Sequence, residues 1–171
     1  MKYVIGGEPS FSFTQGFVVT PADLTERGMS VLLSVIESST TPATRPKLIT
    51  VTANGLKGRP HSLLPLPIKA VFSLIKVPHD DKINQEKIVK GAAGWDGEVN
   101  GWLGANNVVI VRPAVLTSGE CKADKESDAY RTGQELRSAW TVSRADVAHF
   151  ITDKVTVNWD EWAGQAWSVS Y

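Results

Sequence analysis

Residues 108–113 read VVIVRP. Four β-branched apolar residues in a row, stopped by proline, describe a strand covered on both faces, because a strand with one wet face alternates apolar with polar. Such a strand needs a layer on either side, and the flanking sequence supplies candidates. Upstream, KYVI at 2–5 and KLITVT at 47–52 are β-rich runs, the first followed by Gly-Gly and the second by Ala-Asn-Gly. Downstream, AWSVSY closes the chain as a last strand over 166–170. Between them lie helical patterns over 21–38, 66–92 (66–76 and 80–93, divided by VPH) and 143–155. Thr20 and Pro21 read as cap and first residue of the first helix, with Leu24, Gly28, Val31, Leu32, Val35 and Ile36 on one face. The segment SFSFTQGFVV at 10–19 reads as a loop, as does most of 117–137, with a short strand near AYRTG. This alternation predicts an α/β fold with a mostly parallel sheet and right-handed crossovers, in one domain spanning residues 1–171.

Composition bounds the function. The chain has 171 residues, 42% of them hydrophobic, with 18 basic and 18 acidic side chains. A balanced charge offers no electrostatic case for nucleic acid or an anionic membrane. No stretch approaches the roughly 18 apolar residues of a membrane span. Cys121 is the single cysteine, which rules out an internal disulfide and suits a reducing compartment, most simply the cytoplasm.

In open α/β sheets, ligands bind at the C-terminal ends of the strands. That rule marks Gly6 and Gly7, then Thr52 to Gly55, then Arg112 to Leu116, as neighbours on one edge. Dedicated catalytic motifs are absent: there is no G-x-S-x-G, no P-loop and no H-E-x-x-H. His61, His79 and His149 with Cys121 do not make a metal-ligand spacing. Asp80 or Asp81 is placed to cap the helix that follows it, and Glu86 stands four residues after Lys82, an ion-pair spacing. Ser143 and Asp146 form a capping-box pattern, with Ser143 accepting from the Asp146 N–H and Asp146 reaching back. Trp159, Trp162 and Trp167 read as packing around the last strand, and His149 as a half-buried helix residue.

Taken together, VIGGEPS, KLITVTANG, DDKINQEKIV, VIVRPAVLTSGE, AYRTG, VSRADVAHFITD and GQAWSVSY occur in the order found in NmrA-like proteins. The chain resembles these atypical short-chain dehydrogenase/reductase relatives, which bind NAD(P), over nearly its whole length. Within them it resembles the flavin reductase/biliverdin reductase B branch. The resemblance implies a Rossmann-like doubly wound sheet with the cofactor on its C-terminal edge. It implies Gly6 and Gly7 near the adenosine half, Thr52, Ala53 and Asn54 near the nicotinamide ribose, and Pro113, Ala114, Val115 and Leu116 wrapping the nicotinamide through main-chain contacts. Lys82 takes the place of the active-site lysine or histidine. The implied reaction is hydride transfer from NAD(P)H to a small carbonyl-bearing or conjugated acceptor. A non-catalytic redox-sensing protein and an inactive remnant are the alternatives.

The departures from that family are specific. Its opening strand, G-x-x-G-x-x-G turn and helix have no counterpart here. Pro78 stands where the Y-x-x-x-K pair has tyrosine, and Ala53 where many relatives carry serine. The expectation is therefore a partial Rossmann-like sheet lacking its first strand–helix unit, truncated at the N-terminal side. Alone, it should bind dinucleotide weakly or not at all. Its YVIG edge, open to pairing, is a route to self-association.

Overall fold

In the computed structural model, which describes residues 2–3, 8–12, 16–56, 67, 76–97 and 101–171, the VVIVRP stretch is the middle strand of a five-stranded sheet. In chain order its strands are β1 (Lys2–Tyr3), β4 (Leu48–Val51), β5 (Val108–Pro113), β7 (Arg131–Gly133) and β9 (Gln165–Ser170). They lie side by side as β1-β4-β5-β9-β7. The first four are parallel, and β7 pairs antiparallel with β9 at the far edge. The predicted mixed α/β class with a mostly parallel sheet is the one observed. Each successive parallel strand is added on the same side of its predecessor, so the sheet winds in one direction away from β1.

β5 explains the layering. Val108, Val109, Ile110 and Val111 are fully buried, each contributing about 1.5–3 kcal/mol of transfer free energy. Successive side chains point to opposite faces. Val108 and Ile110 join Met29, Leu33, Leu48, Val89 and Leu103 in one core. Val109 and Val111 join Ile49, Val142, Phe150, Val155 and Val169 in the other. Helices α1 (Leu24–Ser39) and α2 (Lys76–Ala93) cover the first face. The second is covered by α3 (Arg144–His149), its π-helical continuation Phe150–Val155, and α4 (Trp159–Trp162). Trp162 meets both Phe150 and Trp167 edge-on at 4.9 Å, so these tryptophans pack around β9 as expected. Helix α2 ends at Gly94, whose φ of 77° suits a left-handed stop. Gly101 crosses so close that a Cβ there would lie 2.6 Å from the Gly94 backbone.

Several expectations are corrected. Residues 10–12 and 16–19 are not a loop: β2 (Glu8–Ser12) and β3 (Gly16–Thr20) pair antiparallel. The aromatic and β-branched content of FSF and GFVV outweighs the serine and glycine there. Thr20 and Pro21 do not start the first helix, which begins at Leu24 behind Asp23. Its buried face is Thr25, Met29, Leu33 and Ile36, whereas Val31 and Val35 are exposed. Apolar residues occur all round this helix, and periodicity alone favoured the wrong stripe. The VPH segment does not divide two helices: α2 runs through it, with Pro78 in the first turn, where its missing N–H costs nothing. The earlier part of that prediction, 66–75, lies outside the described residues apart from position 67, as do Gly6, Gly7 and His61. Finally β6 (Val115–Thr117) and β8 (Thr141–Ser143) form a small parallel ribbon beyond the end of β5. Among the described residues no helix is long and apolar enough to cross a membrane.

Candidate functional site

The C-terminal ends of β4 and β5 continue to pair after the strands stop. The Thr52 N–H donates to the Val111 carbonyl and the Asn54 N–H to the Pro113 carbonyl, both at 2.9 Å. Gly55, at φ 75°, turns the chain away. This holds Thr52, Ala53 and Asn54 beside Pro113 and Ala114 at one end of the sheet. The N–H groups of Ala114 and Val115 are committed, to the carbonyls of Val169 and Trp140.

Under this edge lies a network of buried polar side chains supplied by α2. Arg112 donates to Glu86 through Nε at 2.9 Å and Nη2 at 2.5 Å, a two-pronged ion pair. The Thr52 hydroxyl donates to the same carboxylate at 2.6 Å. Glu86 thus pairs with Arg112 rather than with Lys82, as spacing had suggested. Gln85, 1% exposed, donates through Nε2 to the Thr50 hydroxyl at 2.8 Å and accepts from Lys82 Nζ at 3.1 Å. A lysine only donates, so the amide orientation follows. Gln85 and Glu86 meet residues 50 and 52, while the far end of α2 meets Leu103. The helix therefore runs against the strands and carries Lys82 to the C-terminal edge. Burial lowers the Lys82 pKa, and the neighbouring Asp81 carboxylate partly opposes this.

Asp81 does not cap its own helix. It accepts from Thr25 N–H at 3.1 Å, Thr25 Oγ1 at 2.7 Å and Glu26 N–H at 2.9 Å, and so caps α1 from α2. On the other side of the edge, Asn54 Oδ1 accepts from Ser168 Oγ at 3.1 Å. Asn54 is 2% exposed, and among the described residues its Nδ2 has no partner. Turning the amide over would change which atom is left unpaired, but one would remain.

Asp146 organises the wall formed by the 117–137 segment. It accepts from Ser143 Oγ at 2.8 Å, Tyr171 OH at 2.6 Å, the Ala123 N–H at 3.0 Å and Cys121 Sγ at 3.5 Å. Burial alone would raise its pKa, but the bonds from Tyr171, Ala123, Ser143 and Cys121 hold it below the ordinary value. Ser143 caps α3 as predicted, accepting from Asp146 N–H at 2.9 Å. The reciprocal half is different: the Ser143 N–H donates to the Tyr171 hydroxyl at 3.1 Å, since the short Asp146 side chain is engaged elsewhere. Cys121 is pushed up by burial, so its thiol is a poor nucleophile. Tyr130 shares a 2.8 Å hydrogen bond with His149 Nδ1, and burial pushes its phenol up to about 12.

Lys82, Thr52, Ala53, Asn54, Pro113 and Ala114 are thus brought to one end of the sheet. Arg112, marked with that edge from the sequence, joins them as the partner of Glu86, and Glu86, Gln85 and Ser168 join them too, although sequence reasoning gave none of these three a site role. The charge complementarity of Glu86 and Arg112 was the one usable signal. Among the described residues no cluster of histidine, cysteine or carboxylate side chains could hold a metal ion.

No protein-family model matches the chain. A curated protein, Reductase pytE from Aspergillus terreus, is 29% identical over 154 residues, which is 87% of this chain and 56% of the relative. A short-chain dehydrogenase/reductase from Veillonella parvula, determined in complex with NADP, superimposes with a TM-score of 0.59 at 14% identity, covering 85% of this chain and 58% of the other. The oxidoreductase ylbE from Lactococcus lactis superimposes at 0.55 with 17% identity, covering 84% and 52%. The chain therefore spans a little over half the length of these relatives. It has the Rossmann-like α/β fold of the short-chain dehydrogenases/reductases.

Proposed function

We propose that this chain is the acceptor-side half of an NAD(P)-dependent reductase. In that reading the cofactor's nicotinamide end lies over Thr52–Asn54 and Pro113–Leu116. One observation carries it: the polar edge at the C-terminal ends of β4 and β5, built beside a sheet that winds in one direction from β1. In doubly wound sheets the cofactor sits where the winding reverses, here the side of β1 that is unpaired among the described residues. A preceding strand–glycine turn–helix unit would fill that side and supply the pyrophosphate site. The reductase name of the Aspergillus relative and the NADP bound by the Veillonella enzyme support the reading. An assignment to the NmrA-like branch rests on the sequence motifs alone.

The residues fit the nicotinamide end of such a cofactor. Asn54 offers a buried amide with one unpaired atom, aligned by Ser168. Lys82, with its lowered pKa, donates to ribose hydroxyls or polarises an acceptor carbonyl. When bound, NAD(P)H supplies the hydride. Thr52 is held by Glu86, and Pro78 replaces the usual tyrosine, so the chain's contribution is to bind and orient, with the proton drawn from solvent. The lone Cys121 fits work in a reducing compartment such as the cytosol.

Titration calorimetry with NADP and NAD tests the proposal. The 171-residue chain should bind neither tightly, and fusing a strand–glycine turn–helix unit ahead of β1 should restore stoichiometric binding. Tight binding by the chain alone would overturn the role given to the missing turn. Binding without oxidation of NADPH by any of a panel of quinones and flavins would replace the reductase by a redox-sensing protein.

A further inference from the structure

We infer that Lys82 is a site of acyl modification, its amine taking a small acyl group from a thioester at the C-terminal edge of the sheet. The reactivity follows from the surroundings of the lysine alone. Its consequence, that acylation switches this edge off, rests on the reading of the edge as the nicotinamide end of a cofactor site.

Two carboxylates stand within a helical turn of Lys82, Asp81 before it and Glu86 after it. Both are engaged elsewhere. Asp81 accepts from the Thr25 N–H, the Thr25 hydroxyl and the Glu26 N–H. Glu86 accepts twice from Arg112 and once from Thr52. Among the described residues Lys82 makes one hydrogen bond, donating to the uncharged Gln85 Oε1 at 3.1 Å, and no ion pair. Other lysines are placed differently. Lys125 pairs with Glu120 at 2.7 Å, and Lys47 and Lys122 lie over the rings of Trp159 and Tyr171. A half-buried ammonium with no counterion gives up hydration and receives little in return, so the neutral amine gains on it. The downward shift that burial imposes on Lys82, against the opposing Asp81 charge, has the same sense. Only the neutral amine is a nucleophile.

The hydrogen bond also aims the amine. Gln85 is 1% exposed and is itself held, through Nε2, by the Thr50 hydroxyl at 2.8 Å. With one N–H committed to Gln85 Oε1, the amine's lone pair points away from that fixed oxygen. Because Lys82 is half-buried, a small acyl group meets it more readily than a long one. The lone pair attacks the thioester carbonyl, a C–N bond forms and the C–S bond breaks. The departing thiolate takes the amine's proton, so the products are an amide and a thiol, and nothing is oxidised or reduced. Burial that disfavours an ammonium does not disfavour an uncharged amide, and the amide keeps one N–H for Gln85 Oε1. What disappears is the cationic donor for a ribose hydroxyl or an acceptor carbonyl.

The test treats the full chain with N,S-diacetylcysteamine, a small acetyl thioester, and follows the acetylation rate of each lysine by peptide mass spectrometry across a range of pH. A larger neutral fraction is partly offset by weaker intrinsic nucleophilicity, so at neutral pH Lys82 should react roughly 2- to 5-fold faster than the median lysine. Its rate should level off below the ordinary lysine value of about 10.4. Asp81→Asn removes the charge that opposes burial while keeping a polar side chain for α1, and should raise the Lys82 rate further. In concentrated urea the advantage should vanish. A Lys82 rate at or below the median, levelling-off at or above the ordinary value, or an advantage that survives urea would overturn the site. The switch is read separately, from NADP titrations of the protein restored with its upstream unit. Lys82→Gln, uncharged like the amide, should weaken binding at least about threefold and Lys82→Arg less. Equal affinities in both variants would overturn the switch alone, and absence of NADP binding before any substitution would sink the cofactor reading while leaving the acyl site standing.

Discussion

Arg112→Met is the sharpest perturbation of the polar network under the sheet edge. It removes two charge-assisted bonds from a carboxylate whose side chain is 8% exposed, against 16% for the arginine. Among the described residues, Glu86 keeps only the Thr52 hydroxyl. Each lost bond to a charged group is worth about 1.5–3 kcal/mol, and breaking a buried pair from one side costs about 3–5 kcal/mol. The residual exposure of both groups puts the expected loss near the lower end, about 3 kcal/mol. That is a large share of the roughly 5–15 kcal/mol available to a domain. Urea unfolding followed by tryptophan fluorescence measures it, with an unchanged m-value as the check on two-state behaviour. The double variant Glu86→Leu/Arg112→Met should recover to within about 1.5 kcal/mol of the native protein, because an apolar pair of similar volume leaves no orphaned charge. A single-variant loss under about 1 kcal/mol, or a double variant as unstable as the two single losses summed, would refute the reasoning.

Other consequences follow from the hydrogen bonds. Asp146→Asn turns one acceptor oxygen into a donor facing other donors and should cost about 2–4 kcal/mol in the same urea assay. Because the folded Asp146 pKa lies below its unfolded value, its stabilisation is complete above the ordinary carboxylate range and disappears as pH falls through the lower, folded value. Asp146→Asn should therefore flatten the acid limb of stability against pH below about pH 4, and an unchanged acid limb would count against it. Asp81→Ala uncaps α1 and should lower stability by about 1–2 kcal/mol. It should also depress the Lys82 pKa further, readable by NMR titration of the lysine Nζ, since a carboxylate that raises it is gone.

The sequence was most legible where burial is two-sided. VVIVRP and KLITV declared themselves as strands because β-branched and apolar residues dominate their runs, and that was enough to give the fold class. The edge was legible through Asn54-Gly55 and Pro113, since turns leave chemical marks at known positions. The helix face of α1 was not legible: Val31 and Val35 are as apolar as Leu33, and only α2 decides which of them is covered. Nor were the polar pairings. Glu86 with Arg112 is separated by 26 residues, and Asp81 with Thr25 by 56. A helical spacing of four suggested Lys82 with Glu86, but the fold gave Glu86 to Arg112 of β5 and left Lys82 to Gln85 of its own helix. Local spacing proposes pairs, and tertiary geometry chooses among them.

The division of β5 between two cores makes its length a stricter quantity than its composition. Val109 could become isoleucine, or Ile110 valine, at the cost of a methyl group's packing. A deletion of one residue within 108–111 would do something different in kind. Every side chain beyond the gap would change faces, Val111 would be offered to the α1–α2 side, and Arg112 would be carried away from Glu86. Such a deletion removes one small apolar group from the formula yet miswires both cores and the polar edge together. Variation along this strand should therefore be common as exchange between apolar residues and very rare as insertion or deletion, a signature that a collection of natural variants would reveal without any assay of activity.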